Sequence, residues 1–369
     1  MKALVLNTAT GKLQLEDRPE PAIQNPDEIK LRVHEVGICG TDRDEVKGAG
    51  RALPPPDSQE LIIGHEMIGE VVEIGSSVKS VKPGDFATFT VRRGCNHCSS
   101  CKKGRSDLCY TGEYTERGIK GKNGYQAQFV VDKEAFIVPI PSHMRSFGVL
   151  CEPTSVIEKA IDDVIRIQIN RLVDWPASNP LQGRIALVAG MGPVGLLASM
   201  ALRLRGAEVI GIDIVGSDSP RPRLLRNMGG TYLDVRQVHV SDIPKLYDAP
   251  DIIVEAAGVT SLDFKLWQIL GVNGAYVLTG VTPPSQQVQI DGGDLMQELV
   301  FHNQVVVGSV NAAKAHWQQG VKDLEEANKA WPGVIEQIIT HRFSFAQFEN
   351  ALLSHPQDEI KTVISWTSS

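Results

Sequence analysis

The sequence predicts an α/β protein in two parts, a β-rich part followed by a parallel sheet with helical crossovers. Three observations carry that prediction. Over the first 140 residues apolar and polar positions alternate in short runs separated by Gly and Pro; from Phe147 to about Leu172 the apolar spacing becomes helical; and beyond Arg184 a strand, a glycine turn, a helix and a second strand follow in order.

The alternating runs are EIKLRVHEVG (28–37), EMIGEVVEIG (66–75), DFATFTV (85–91) and YQAQFVV (125–131). Successive strand residues point to opposite faces, so this period of two predicts half-buried strands. Val149, Val156, Ile157, Ala160, Ile161, Val164 and Ile165 recur at three and four and predict a helix linking the two parts. RIALVAG (184–190), PVGLLASMALRLRG (193–206) and EVIGIDI (208–214) then predict a βαβ unit, with DIIVEAAG (251–258), AYVLTGV (275–281) and QVVVGSV (304–310) as later strands of its sheet. Residues 311–369 predict two or three helices and a closing strand, KTVISW (361–366).

With 369 residues, 42% of them hydrophobic and 22% charged, the chain is long enough for two domains with sizeable cores. Its net charge of −7 disfavours both a nucleic-acid backbone and an anionic lipid surface, which need basic protein surfaces, and leaves a small molecule as the expected partner. The N-terminal apolar run is broken by Asn7, and no stretch of about 18 apolar residues occurs, so neither a secretory signal nor a membrane span is expected and the protein reads as cytoplasmic.

Six cysteines occupy positions 39, 95, 98, 101, 109 and 151. Cys95, Cys98, Cys101 and Cys109 form C-x2-C-x2-C-x7-C within GCNHCSSCKKGRSDLC, a spacing that lets four thiolates converge on one tetrahedral zinc with no open position, hence a structural site. An iron–sulfur cluster and a nucleic-acid-binding zinc ribbon are the alternatives; the fourth cysteine lies too far along for the first, and the acidic chain opposes the second.

A second site is predicted where Cys39, in GICGTDRD (37–44), and His65 with Glu66, in GHEMIGEVVEIG (64–75), each follow a strand-like run. Three protein ligands plus one open position make a catalytic zinc. Glu152, in CEPTSV (151–156), is the candidate third ligand, and Glu66 a supporting or alternate one. Taken singly, each has an ordinary structural reading as a buried thiol, a packed imidazole or a helix cap; Cys151 is read as core.

Gly190, Gly192 and Gly195, with Pro193 and Val194 between, form G-x-G-x-x-G directly after a strand and at the start of a helix, the context of a dinucleotide pyrophosphate site. Asp213 ends the next strand, where a carboxylate accepts hydrogen bonds from ribose hydroxyls and repels a 2′-phosphate, which favours NAD. Arg221 and Arg223 follow closely and keep NADP open.

GICGTDRD, RRGCNHCSSCKKGRSDLC, TGEYTERGI (111–119), EPTSVIEKAI (152–161) and VFHNQVVVGSVNA (300–312) together resemble the zinc-containing medium-chain alcohol dehydrogenase family, and most closely its archaeal-type glucose dehydrogenases. The resemblance implies a GroES-like β-rich catalytic domain (1–155 and 311–369, with the zinc lobe at about 93–111) and a Rossmann doubly wound parallel-sheet coenzyme domain (156–310). It implies a catalytic zinc held by Cys39, His65 and Glu152 with Glu66 in support, a proton relay from Thr41 toward Asp44, and sugar hydrogen bonds from Glu116 and Asn311. Two departures stand out: Val91 stands where the family carries a sugar-binding Asn, and no basic residue immediately follows Asp213.

The implied function is hydride transfer from a sugar hydroxyl, as in glucose to gluconolactone, to NAD(P) in a homodimer or homotetramer. A polyol, amino-alcohol or biosynthetic sugar dehydrogenase is the alternative on the same scaffold, and a nucleotide-binding pseudoenzyme the alternative outside catalysis.

Overall fold

The alternating runs of the first part become strands of a closed-in antiparallel core in the computed structural model, which describes residues 1–48, 52–282 and 287–367. The chain divides into two units: Met1–Ser155 with Asn311–Lys322 and Ile339–Ser369, and Val156–Val310 with Asp323–Ile338.

In the first unit, β1 (Lys2–Asn7), β2 (Lys12–Asp17), β3 (Glu28–Gly37), β4 (Glu60–Ile62), β5 (Glu66–Ile74), β6 (Phe86–Phe89), β7 (Arg92–Arg93), β8 (Thr115–Arg117), β9 (Gly121–Lys122), β10 (Phe129–Lys133) and β11 (Ile137–Ile140) precede two late strands of the chain. The main sheet runs β11-β6-β5-β3 and then takes in those two strands, with β10 also on β3. Its inward face buries Leu31, Val33, Val36, Met67, Phe89, Ile364 and Trp366, each 3% exposed or less. Burying a large apolar side chain contributes about 1.5–3 kcal/mol, so this face dominates the unit's stability. The run 125–131 is a strand only from Phe129, because Tyr125 and Gln126 instead give their N–H groups to the carbonyls of Gly64 and Ile63.

Helix α1 (Gly40–Val46) follows β3 directly, and the four-residue α2 (Ser99–Lys102) lies inside the cysteine lobe. The long α3 (Cys151–Arg171) fulfils the helical spacing, and the division between the units falls within it.

The second unit is built on β12 (Ile185–Ala189), α4 (Pro193–Leu204), β13 (Glu208–Asp213), α5 (Pro220–Asn227), β14 (Thr231–Asp234), α6 (Ile243–Tyr247), β15 (Ile252–Glu255), α7 (Thr260–Trp267), β16 (Ala275–Leu278), α8 (Gly292–Phe301) and β17 (Val305–Gly308). All five ladders are parallel, in the order β14-β13-β12-β15-β16-β17. The strand order reverses between β12 and β15, and it is outside the carboxyl ends at such a reversal that open α/β sheets bind ligands.

Beyond β17 come α9 (Lys314–Ala330), β18 (Ile339–Ser344), α10 (Phe348–Leu353) and β19 (Lys361–Ser365). The last strand inserts between β3 and β18, antiparallel to the first and parallel to the second. One expectation needs correction: residues 323–338, assigned by sequence to the first domain, pack with the second unit. There Leu324, Ala327 and Ile335 are buried, and Asp323 shares Arg205 with Glu158.

Candidate active site and metal lobe

The four-cysteine segment folds so that the sulfurs of Cys95, Cys98, Cys101 and Cys109 all lie within 4.8 Å of one another, and none is in a disulfide. Local turns achieve this. Cys95 and Cys98 sulfurs each accept the backbone N–H three residues on, at 3.4 Å, and Cys98 caps α2. Gly94 leaves room for the Cys101 sulfur, which would stand 2.5 Å from any Cβ there. The Thr111 hydroxyl, 3.4 Å from Cys109, brings the Cys109 thiol down to about 7 and the Cys95 thiol to about 5, while burial and the neighbouring sulfurs push Cys101 up to about 12. Four sulfurs this close cannot all ionise without a cation between them, so the lobe fits a tetrahedral zinc.

The second cluster sits where β3, α1 and β5 meet. Ligand atoms of Cys39, His65 and Glu66 also lie within 4.8 Å of one another. Cys39 ends the extended chain at the start of α1, and the buried Asp42 carboxylate accepts its N–H at 2.8 Å. The other Asp42 oxygen lies 3.4 Å from His65 Nδ1, which directs Nε2 away from Asp42 and leaves it as the nitrogen for a metal. Burial opposes charging of His65, yet Asp42 and Cys39 hold its pKa well above the ordinary value. The group is built to face positive charge.

Lys361 of β19 is the unexpected member. Its ammonium donates to Glu66 Oε1 at 2.6 Å and to the Ile38 carbonyl at 2.9 Å, all of it buried. Burial works against this charge, but Glu66 and Cys39 raise the lysine's pKa, so the cation is kept. Gly37 makes the pairing possible, because a Cβ there would stand 2.1 Å from Glu66 Oε2.

Glu152 differs from the expectation in its distance: it is not within the 4.8 Å grouping. Burial and the nearby Glu66 and Asp42 charges nevertheless push its carboxyl up to about 7, against the pull of His65 and Lys361. No protein donor reaches its carboxyl group among the described residues. A carboxylate without a partner beside a thiol and an imidazole fits a divalent cation in the gap.

Thr41 and Asp44 both ride on α1; Thr41 is half-buried, Asp44 exposed, and no hydrogen bond joins them. Glu116 and Asn311, 195 residues apart, are in direct contact, with Asn311 Nδ2 donating to Glu116 Oε1 at 2.7 Å. Arg92 donates to the same oxygen through Nε at 3.0 Å and Nη2 at 2.9 Å. Among the described residues Oε2 accepts nothing and stays available to a ligand. Val91 is 1% exposed, and its carbonyl accepts the Arg117 N–H.

In the second unit the glycine turn closes tightly. A Cβ on Gly195 would stand 1.7 Å from the Gly190 carbonyl oxygen, and one on Gly190, at φ +87°, would meet Ala257 at 3.0 Å. Gly192 has open space beside it, caps α4, and is followed by Pro193 at the first helical position, with Val194 next. Asp213 ends β13, accepts the N–H of Met191 at 2.8 Å and of Ile214 at 2.6 Å, and lies 3.6 Å from Arg221. Gly190, Gly192, Asp213, Arg221 and Ala257 line a cavity of about 460 Å³ at the strand-order reversal.

A family profile described as "Alcohol dehydrogenase GroES-like domain" matches residues 25–142, and one described as "Glucose dehydrogenase C-terminus" matches 145–366. The chain belongs to the zinc-containing medium-chain alcohol dehydrogenases, among the glucose dehydrogenases. Relatives of this dehydrogenase include a glucose 1-dehydrogenase of Methanocella arvoryzae, 35% identical over 93% of this chain and 92% of its own. Another, glucose 1-dehydrogenase 2 of Vulcanisaeta moutnovskia, is 36% identical over 99% of both. Among solved structures, the Haloferax mediterranei glucose dehydrogenase in complex with NADP, Zn and gluconolactone superposes with a TM-score of 0.87 at 28% identity, covering 100% of each chain.

The GroES-like unit and the Rossmann-type unit implied by the resemblance are both present in this dehydrogenase. Its zinc and NAD(P) dependence follow from the same family. Asp42, Lys361, Thr111 and Arg92 escaped the sequence reading. Asp42 carried a weak signal, standing three residues after Cys39 as a capping carboxylate does; Lys361 and Arg92 carried none.

Proposed function

We propose that this enzyme oxidises the anomeric hydroxyl of an aldose, glucose among them, to the lactone, with Cys39, His65 and Glu152 holding the catalytic zinc. The observation that carries the proposal is the convergence of the Cys39 thiol, the His65 imidazole and the Glu66 carboxylate within 4.8 Å, in the same unit as Glu152 and the Glu116–Asn311 pair. Glu66 is already matched by Lys361, which supports Glu152 as the ligand and Glu66 as the group that tunes it.

When bound, zinc supplies Lewis-acid polarisation of the hydroxyl, and the nicotinamide supplies the hydride acceptor. Asp42 fixes His65 in the orientation that leaves Nε2 for the metal. The Thr41 hydroxyl would take the substrate proton as its own proton leaves toward solvent, with the exposed Asp44 as the outer end of the relay. Glu116 Oε2 and the Asn311 amide pair sugar hydroxyls, a recognition that penalises a substrate lacking them because these half-buried groups would lose their partners. The N-terminus of α4 at Gly192 holds the pyrophosphate, with Gly190, Pro193, Val194 and Gly195 shaping the turn, and Asp213 accepts the ribose hydroxyls, which favours NAD.

The buried Val91 supports relaxed discrimination among aldoses, since its side chain offers no hydrogen bond. We further read the enzyme as a homodimer or homotetramer, and as cytoplasmic, the location supported by cysteines clustered as free thiols suited to a metal. The dimer is supported by β17, an edge strand whose Val305–Val307 are only half covered, and by the adjacent α8, which exposes Met296, Val300 and Phe301 at 50%, 69% and 73%.

Initial rates with aldoses, polyols and simple alcohols against NAD and NADP test the assignment. Aldoses give the highest kcat/KM if the reading is right, and a polyol preference would replace it. Cys39→Ser abolishes turnover while coenzyme binding persists; unchanged turnover would remove the metal mechanism.

A further inference from the structure

Arg92 occupies a junction between the cysteine lobe and Glu116. It lies on β7 directly opposite Glu116 on β8, buried, with its guanidinium 3.9 Å from the centre of the Tyr114 ring. While Nε and Nη2 hold Glu116 Oε1, Nη1 donates to the backbone carbonyl of Asp107 at 3.0 Å. Asp107 stands two residues before Cys109, inside the cysteine lobe, and its buried carboxylate is gripped by Arg105 through contacts of 2.7 to 3.1 Å.

A guanidinium presents its N–H groups in one rigid plane, so the three bonds move together. A shift of the Asp107 carbonyl tilts the plane, and the tilt is felt at Glu116. Asn311 donates to the same Oε1, so Oε1 is fully committed and the direction of Oε2 is set by how well Arg92 is held. An ordinary cross-strand ion pair would need neither the bond to Asp107 nor the stacking on Tyr114.

We propose that Arg92 is the positioning residue through which the metal-ordered cysteine lobe sets the enzyme's affinity for its sugar. Anchored on Asp107, it holds Glu116 with Oε2 facing the substrate hydroxyl. The inference rests on the reading of Glu116 as a sugar ligand.

The test uses the zinc-loaded full chain, D-glucose as the probe, equilibrium glucose binding without coenzyme, steady-state KM and kcat, and zinc content by emission spectroscopy. Arg92→Met raises the glucose Kd and KM about 10- to 100-fold, the range for losing a charge-assisted hydrogen bond that orients a ligand group, and leaves coenzyme KM within about twofold. Arg92→Lys gives an intermediate loss, because a point charge reaches Glu116 or Asp107 but not both. Cys109→Ser removes the lobe's metal and weakens glucose binding in the otherwise native enzyme, yet adds nothing in the Arg92→Met background.

Either of two results with these variants overturns the proposal, and two further controls follow. One is an unchanged glucose Kd in Arg92→Met while Glu116→Gln weakens binding; the other is multiplication of the Cys109→Ser and Arg92→Met effects. If Glu116→Gln itself leaves glucose binding intact, the sugar reading has failed and the proposal falls with it. Should Cys109→Ser not fold, Arg105→Gln loosens Asp107 without touching a thiol; it raises the glucose Kd, and no change would overturn the link.

Discussion

At the scale of single residues, the coenzyme end of the enzyme turns on two side chains 3.6 Å apart. Both line the same cavity, and on the proposed reading Asp213 would repel a 2′-phosphate and Arg221 attract one. Arg221→Ala therefore lowers kcat/KM for NADP about tenfold or more and changes that for NAD little, as loss of one charge-assisted phosphate contact requires. Steady-state rates with the two coenzymes check this; equal losses with both would move Arg221 from recognition to structure. Residues whose chemistry depends on near neighbours were legible in the sequence. The cysteine lobe and the glycine turn are examples, since their partners lie within fifteen residues. Lys361 was not, because its partner Glu66 is 295 positions away and only strand pairing unites them.

At the scale of elements, α3, the end of α4 and α9 are tied in the second unit by one arginine. Arg205 bonds Glu158 at 2.6 Å and Asp323 at 2.5 Å, with both acids nearly buried. Burial and the Asp323 charge push Glu158 up to about 8, against the pull of Arg205. A carboxyl raised above its unfolded value near 4.3 favours folding in its protonated form. That contribution is complete below the unfolded pKa and is lost as pH rises through about 8. Thermal stability of the second unit thus declines from pH 7 to pH 9, and Glu158→Gln flattens the decline; calorimetry across that range decides it. Arg205→Met leaves two buried acids without their cation and costs about 3–5 kcal/mol, more at pH 9 than at pH 6. The helices themselves were legible from their spacing. Their allegiance was not: residues 323–338 group with the second unit, where Leu324, Ala327 and Ile335 are buried and Asp323 meets Arg205, partners that local spacing does not reveal.

At the scale of the whole molecule, the two metal sites differ in what their loss does. The ligands proposed for the catalytic ion come from three separate segments, and those for the lobe ion from one continuous loop. Dialysis against a tight chelator therefore abolishes turnover, and added zinc restores it while the lobe remains loaded. Removing the lobe ion as well lowers Tm, since a ligand bound only to the native state stabilises it by mass action. Turnover surviving complete zinc loss would refute the metal assignment. Association is tested by sedimentation: Phe301→Glu with Val306→Lys, charges placed beside and on the edge strand, shifts the enzyme toward monomer. A native chain that already sediments as a monomer would remove the dimer.

The placement of β19 has a consequence for biosynthesis. The strand that carries Lys361 is threaded between β3 and β18, so the Cys39–His65–Glu66 cluster receives its buried cation from a strand 295 positions after Glu66. The cysteine lobe, encoded within fifteen residues, has no such wait. During synthesis Lys361 therefore emerges after both Glu66 and the cysteine loop. Until that strand pairs, Glu66 stands without its counter-charge, whereas the four thiols of the loop need no distant partner.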